Sequence, residues 1–118
     1  MSRSRTAIVV VIVALFVVVG GVLIYGNQSH GGGSREINVT VAGGQSMTPS
    51  TWTAHLNDNV TIKITSDTTG EVHLHGYDIP FDCTPGEVSS HSFKADKSGQ
   101  FEVEWESTST HLGFLVVS

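Results

Sequence analysis

The chain of 118 residues carries 6 Lys and Arg against 11 Asp and Glu, with 6 His, 13 Gly, 3 Pro and a single Cys, which is material for one small domain. Arg3 and Arg5 precede an apolar run, and beyond Tyr25 only Arg35, Lys63, Lys94 and Lys97 stand against all 11 acids, which excludes an electrostatic footprint for nucleic acid or an anionic membrane surface. One thiol excludes an internal disulfide, and the sequence has no Cys-x-x-Cys, Walker loop, Gly-x-Ser-x-Gly or His-Glu-x-x-His, so the common enzyme signatures are missing and a non-enzymatic role is expected.

Residues 1–6 form a basic start. From Ala7 to Tyr25 there are 17 apolar residues plus Gly20 and Gly21 and no charge, and as a helix this run would span roughly 28 Å, close to the hydrocarbon thickness of a bilayer. Arg3 and Arg5 on its N-terminal flank predict a signal anchor at 7–25 that leaves the C-terminal part outside the plasma membrane, single-pass. A cleaved signal peptide is the rival reading; its apolar core is usually shorter and ends at a small-x-small site, and no Ala-x-Ala follows here. Residues 26–34, Gly-Asn-Gln-Ser-His-Gly-Gly-Gly-Ser, read as a flexible linker, and the domain is expected over 35–118.

Beyond the linker the pattern has period 2. Ile37-Asn38-Val39-Thr40-Val41, Val60-Thr61-Ile62-Lys63-Ile64 and Phe101-Glu102-Val103-Glu104-Trp105 alternate apolar with polar side chains, as half-buried strands do. Turn-forming clusters lie between them, at Gly43-Gly44, Asn57 to Asn59, Ser66 to Gly70, Pro80 to Gly86, Asp96 to Gly99 and Ser107 to Thr110. The spacing predicts about seven strands, near 36–42, 50–56, 59–66, 71–78, 87–94, 100–106 and 112–117, in an all-β two-sheet sandwich. The predicted core is Ile37, Val39, Val41, Val60, Ile62, Ile64, Val72, Leu74, Phe93, Phe101, Val103, Trp105, Leu115 and Val117, with Trp52 a further filler. Glu102, Glu104 and Glu106 then face the other way, and three like charges in a row read first as a solvated face.

The stretch from Ser66 through Val72-His73-Leu74-His75-Gly76-Tyr77 to Pro80, followed by Pro85-Gly86, Phe93-Lys94-Ala95 and Gly99-Gln100-Phe101-Glu102-Val103-Glu104, resembles the cupredoxin superfamily over roughly residues 36–118. The resemblance is nearest to membrane-anchored bacterial cupredoxin-like domains, and extends to the copper domains of nitrous oxide reductase and cytochrome oxidase subunit II. It implies a Greek-key sandwich and a copper site whose first ligand falls on His75, the counterpart of the His in a strand of the form Asp-Leu-Thr-His-Gly-Phe. The usual Cys is missing, since Trp105-Glu106 stands in its place, and His111 lies about where the family has Met. A multicopper oxidase would need further copper domains than this length holds.

The candidate metal ligands are therefore His73, His75, His111 and Cys83, with copper as the implied metal. His73 and His75 are two apart on one strand, about 7 Å along it, so a shared metal requires a bend that Gly76 could permit. Cys83 is either a sulfur ligand from a new position or a small half-buried hydrophobe. Met47 is a weak thioether candidate, and His55 and His91 read as structural or solvent-facing. Two functions are expected to compete: a tethered copper protein for holding, delivery or electron transfer, and a metal-free scaffold docking an envelope or copper-handling partner.

Overall fold

The computed structural model describes Gly32–Ser118. The basic start, the apolar span at 7–25 and most of the linker lie outside the described residues, and among those described no helix is long and apolar enough to cross a membrane. The strand content begins at Ser34, one residue before the expected start of the domain. Just ahead of it, the Gly33 amide donates to Asp58 Oδ1 at 3.2 Å and the Gly32 amide to the Asn57 carbonyl at 3.0 Å, which ties the strand's entrance to the sandwich.

Nine strands follow among the described residues: β1 (Ser34–Ala42), β2 (Ser46–Thr48), β3 (Thr51–Ala54), β4 (Asn59–Ser66), β5 (Gly70–Leu74), β6 (Ile79–Cys83), β7 (Ser89–Lys94), β8 (Gly99–Trp105) and β9 (Thr110–Val117), with a 3-10 turn at Glu106–Thr108. They form a five-stranded sheet in the order β3-β9-β8-β5-β6 and a four-stranded sheet in the order β2-β1-β4-β7. β9 runs parallel to β3 and β1 parallel to β4, so the chain repeatedly crosses between the sheets, and the remaining neighbours are antiparallel.

Two strands are additional to the seven expected. β6 overlaps the turn-forming cluster at Pro80 to Gly86, yet β6 is the edge of its sheet, where a residue without an N–H is tolerated; Phe81 and Cys83 point inward while Pro80 and Asp82 face out. β2 is three residues long, too short for a period to register. The strand expected over 71–78 stops at Leu74, because Gly76 at φ 86° and Asp78 at φ 55° turn the chain through left-handed conformations. Any Cβ at Gly76 would also strike the Phe101 ring, so the turn needs glycine for both reasons.

Between the sheets lies the core. Val60, Ile62, Ile64, Val72, Leu74, Phe81, Val103 and Leu115 are completely enclosed, and burying each such side chain contributes about 1.5–3 kcal/mol against the entropy of ordering the chain. Met47, Ala54, Phe81, Cys83, Ala95 and Leu112 join the predicted core. Phe93 and Phe101 are half-buried rather than enclosed: both pack on Tyr77, at ring-centroid distances of 5.1 and 4.9 Å, and close the end of the sandwich where β5 finishes.

Candidate metal centre

At the opposite end of the sandwich, β8 finishes with its Trp105 indole turned inward and 4% exposed. The ring packs directly on the Cα atoms of Gly44 and Gly70, and a side chain at either glycine would overlap it. The place where the resemblance puts a copper thiolate is thus filled by an aromatic ring that offers no ligand atom.

The outward phase of the same strands carries a different chemistry. Glu71 and His73 on β5 and Glu102 and Glu104 on β8 alternate with core residues and project from the outer face of the five-stranded sheet. Register aligns His73 opposite Glu104, and Glu104 opposite His111 on β9, so one row across three strands reads His111, Glu104, His73. Glu106, first residue of the 3-10 turn, leans back over this face with its Oε1 3.8 Å from His73 Nδ1.

The contacts run diagonally. Nε2–H of His75 donates to Glu104 Oε1 at 2.6 Å, Nδ1 of His111 lies 3.0 Å from Glu102 Oε2, and Nδ1 of His73 lies 3.3 Å from Glu71 Oε2. His75 lies just beyond the end of β5, held by its amide donating to the Glu102 carbonyl at 2.9 Å. The His73 and His75 rings come within 4.5 Å, centroid to centroid, inclined at 44°. They are closer than their spacing on a strand because the chain has begun to turn at His75.

Two sets of donor atoms converge to within 4.8 Å: Glu71 with His73 and Glu106, and His75 with Glu104 and Glu106. The hydrogen bond to Glu104 raises the affinity of the His75 imidazole for its proton; partial burial opposes this, and the negative charges of Glu104, Glu102 and Glu106 add to it. Imidazole nitrogen with carboxylate oxygen is a donor set that suits divalent copper, with zinc below it in intrinsic affinity.

The other candidates are placed elsewhere. His111 is on the same face but two strands from β5, roughly 10 Å away at the usual interstrand spacing, with Glu104 between. Cys83 pairs with Gly70 on the inner face, 3% exposed, its thiol directed to the Phe81 carbonyl at 3.6 Å; burial pushes the thiol up. It is on the opposite side of the sheet from His73. Met47 is enclosed beneath Gly113. His55 lies at the far turn, where its amide donates to Asp58 Oδ2 at 2.9 Å, and His91 stacks edge-on against Phe81 at 5.1 Å.

Glu71 is a donor beyond those expected, and Glu104 and Glu106, which read first as a solvated face, are donors as well. The signal is present in parity: Glu71 and His73 of β5 and Glu102 and Glu104 of β8 all occupy the phase opposite the core residues. Neighbourhood of β5 and β8 was the missing fact.

No family model and no curated protein matches the chain. Solved structures do. An apo copper binding protein determined by NMR in solution aligns at TM-score 0.62 with 19% identity, covering 78% of this chain and 93% of that one. A chain of a heme-copper terminal oxidase dimer aligns at TM-score 0.64 with 18% identity, covering 99% and 98%. The blue copper oxidase from Nitrosomonas europaea aligns at TM-score 0.51 with 17% identity over 72% of this chain and 39% of its own. At such identities the likeness is one of backbone path and strand order, and on that ground the domain has a cupredoxin-like fold.

Proposed function

We propose that this protein is a copper-binding cupredoxin-like domain, tethered to the outer side of the plasma membrane by residues 7–25, that holds or hands over copper and is not an enzyme. The observation that carries the reading is the convergence of His75, Glu104 and Glu106, and of His73 with Glu71 and Glu106, on one sheet face. These residues would hold the ion, and bound copper would supply Lewis acidity and a redox couple. Nitrogen and oxygen donors favour the divalent ion, whereas monovalent copper prefers thiolate and thioether. Cys83 and Met47 are both enclosed in the core, so holding and delivery fit this donor set better than reversible electron transfer.

Titration of the detergent-solubilised chain with divalent copper tests this. Stoichiometric uptake that His75→Ala weakens at least tenfold supports the reading; a folded chain that takes up no copper overturns it. That second outcome would favour a metal-free module docking an envelope protein, a reading supported by the Trp105 ring filling the end of the sandwich.

A further inference from the structure

Resting on the copper reading above, we propose that the outer face binds two cations side by side, with the carboxylate of Glu106 shared between them. Each imidazole has a carboxylate of its own: Glu71 lies 3.3 Å from His73 and Glu104 lies 2.6 Å from His75. Glu106 alone belongs to both convergent sets, and among the described residues neither set contains both imidazoles. A carboxylate has two oxygens and about four lone-pair sites, and bridged metal pairs sit about 3.5–4 Å apart. That spacing suits two rings whose centroids are 4.5 Å apart and whose planes diverge by 44°, each presenting its nitrogen to a different ion.

Charge points the same way. Glu71, Glu104 and Glu106 together bring three negative charges, and Asp78, with its Oδ1 3.9 Å from His73 Nε2, brings a fourth. Two divalent cations neutralise that set, while one leaves it strongly anionic. Glu106 stands beside both imidazoles, half-exposed at the first position of a single 3-10 turn beyond the end of β8.

The experiment is titration of the full chain in detergent with divalent copper, read by equilibrium dialysis and electron paramagnetic resonance. Two equivalents are expected, with a spectrum broadened or diminished by coupling between the ions. His73→Ala and His75→Ala should each lose one equivalent and restore the spectrum of an isolated ion, and Glu106→Gln should remove the coupling. All three side chains are outside the core, so far-ultraviolet circular dichroism should stay that of the parent. A single equivalent with an isolated-ion spectrum, indifferent to His73→Ala, overturns the shared site while leaving the copper reading intact. No uptake by the folded parent chain overturns both.

Discussion

His75 bonds to Glu104 across β5 and β8 although the two are not partners in the ladder: His73 is the residue opposite Glu104, and the His75 ring reaches diagonally back to the carboxylate at 2.6 Å. A diagonal in the opposite direction along β8 pairs His111 with Glu102. The face is therefore a lattice of imidazoles and carboxylates in which a histidine can be charged and paired, or neutral and available to a cation.

This relationship sets a pH dependence. With Glu104 as its main cause, the folded-state pKa of His75 lies above the ordinary 6.5. The stabilisation from the pair is fully present below the unfolded value and is lost as pH rises through the folded one. Proton NMR of the metal-free chain should show the His75 ring titrating above the range of an exposed histidine, and Glu104→Gln should bring it down. Copper uptake should weaken on the acid side of that midpoint, because the ion and the proton compete for the imidazole. A His75 midpoint at or below 6.5 in the parent would refute the pairing.

A second prediction concerns the end of the sandwich. Gly70 has no room for a Cβ because the Trp105 ring occupies it, and its backbone is otherwise compatible with alanine. Gly70→Ala should destabilise the domain by about 1–3 kcal/mol through overpacking. Trp105→Phe in the same chain should recover part of that loss, because a smaller ring vacates the space. Urea unfolding of the two single variants and the double variant measures the coupling, and additive losses would refute the packing account.

Period-2 patterning made most of the fold legible: Ile37, Val39, Val41, Val60, Ile62 and Ile64 are inward as their alternation implies. Phe81 and Cys83 alternate just as clearly with Pro80 and Asp82, but proline suggests a turn unless the strand is already known to be an edge, and edges are a property of sheet order. The site was half legible for a related reason. His73, His75 and His111 stand out by type, whereas Glu104 becomes a partner for imidazole only when β5 and β9 flank β8. Parity is local in sequence; adjacency is not.

Asp58 should be the costliest acid of the domain to lose. It is 6% exposed, with Oδ2 accepting the His55 amide at 2.9 Å and Oδ1 the Gly33 amide at 3.2 Å, so it joins the turn before β4 to the entrance of β1. Asp58→Ala leaves both amides without their acceptor, at a cost of about 1–3 kcal/mol. Asp58→Asn keeps one acceptor oxygen and should cost less. Thermal unfolding of both, beside a control at the exposed Glu87, reads the difference; equal losses for alanine and asparagine would show that the carboxylate oxygens are not what holds the turn.

Cys83 provides the last test, because it separates a sulfur-free centre from a thiolate one. Its thiol is enclosed beside Phe81 and Gly70 on the inner face, with burial holding its proton in place, and the imidazoles of His73 and His75 project from the other side of the same sheet. A ligand must be a thiolate and must reach the ion, and Cys83 satisfies neither condition without a rearrangement of the β5–β6 pair. In the native chain Cys83 should react with a thiol reagent only on the timescale of unfolding. Cys83→Ala should leave copper stoichiometry unchanged while lowering stability by about 1 kcal/mol for the lost buried group. The copper-loaded parent should show only weak visible absorption. An intense thiolate-to-copper band that Cys83→Ala abolishes would move the centre from the outer face of the sheet to the core end closed by Trp105.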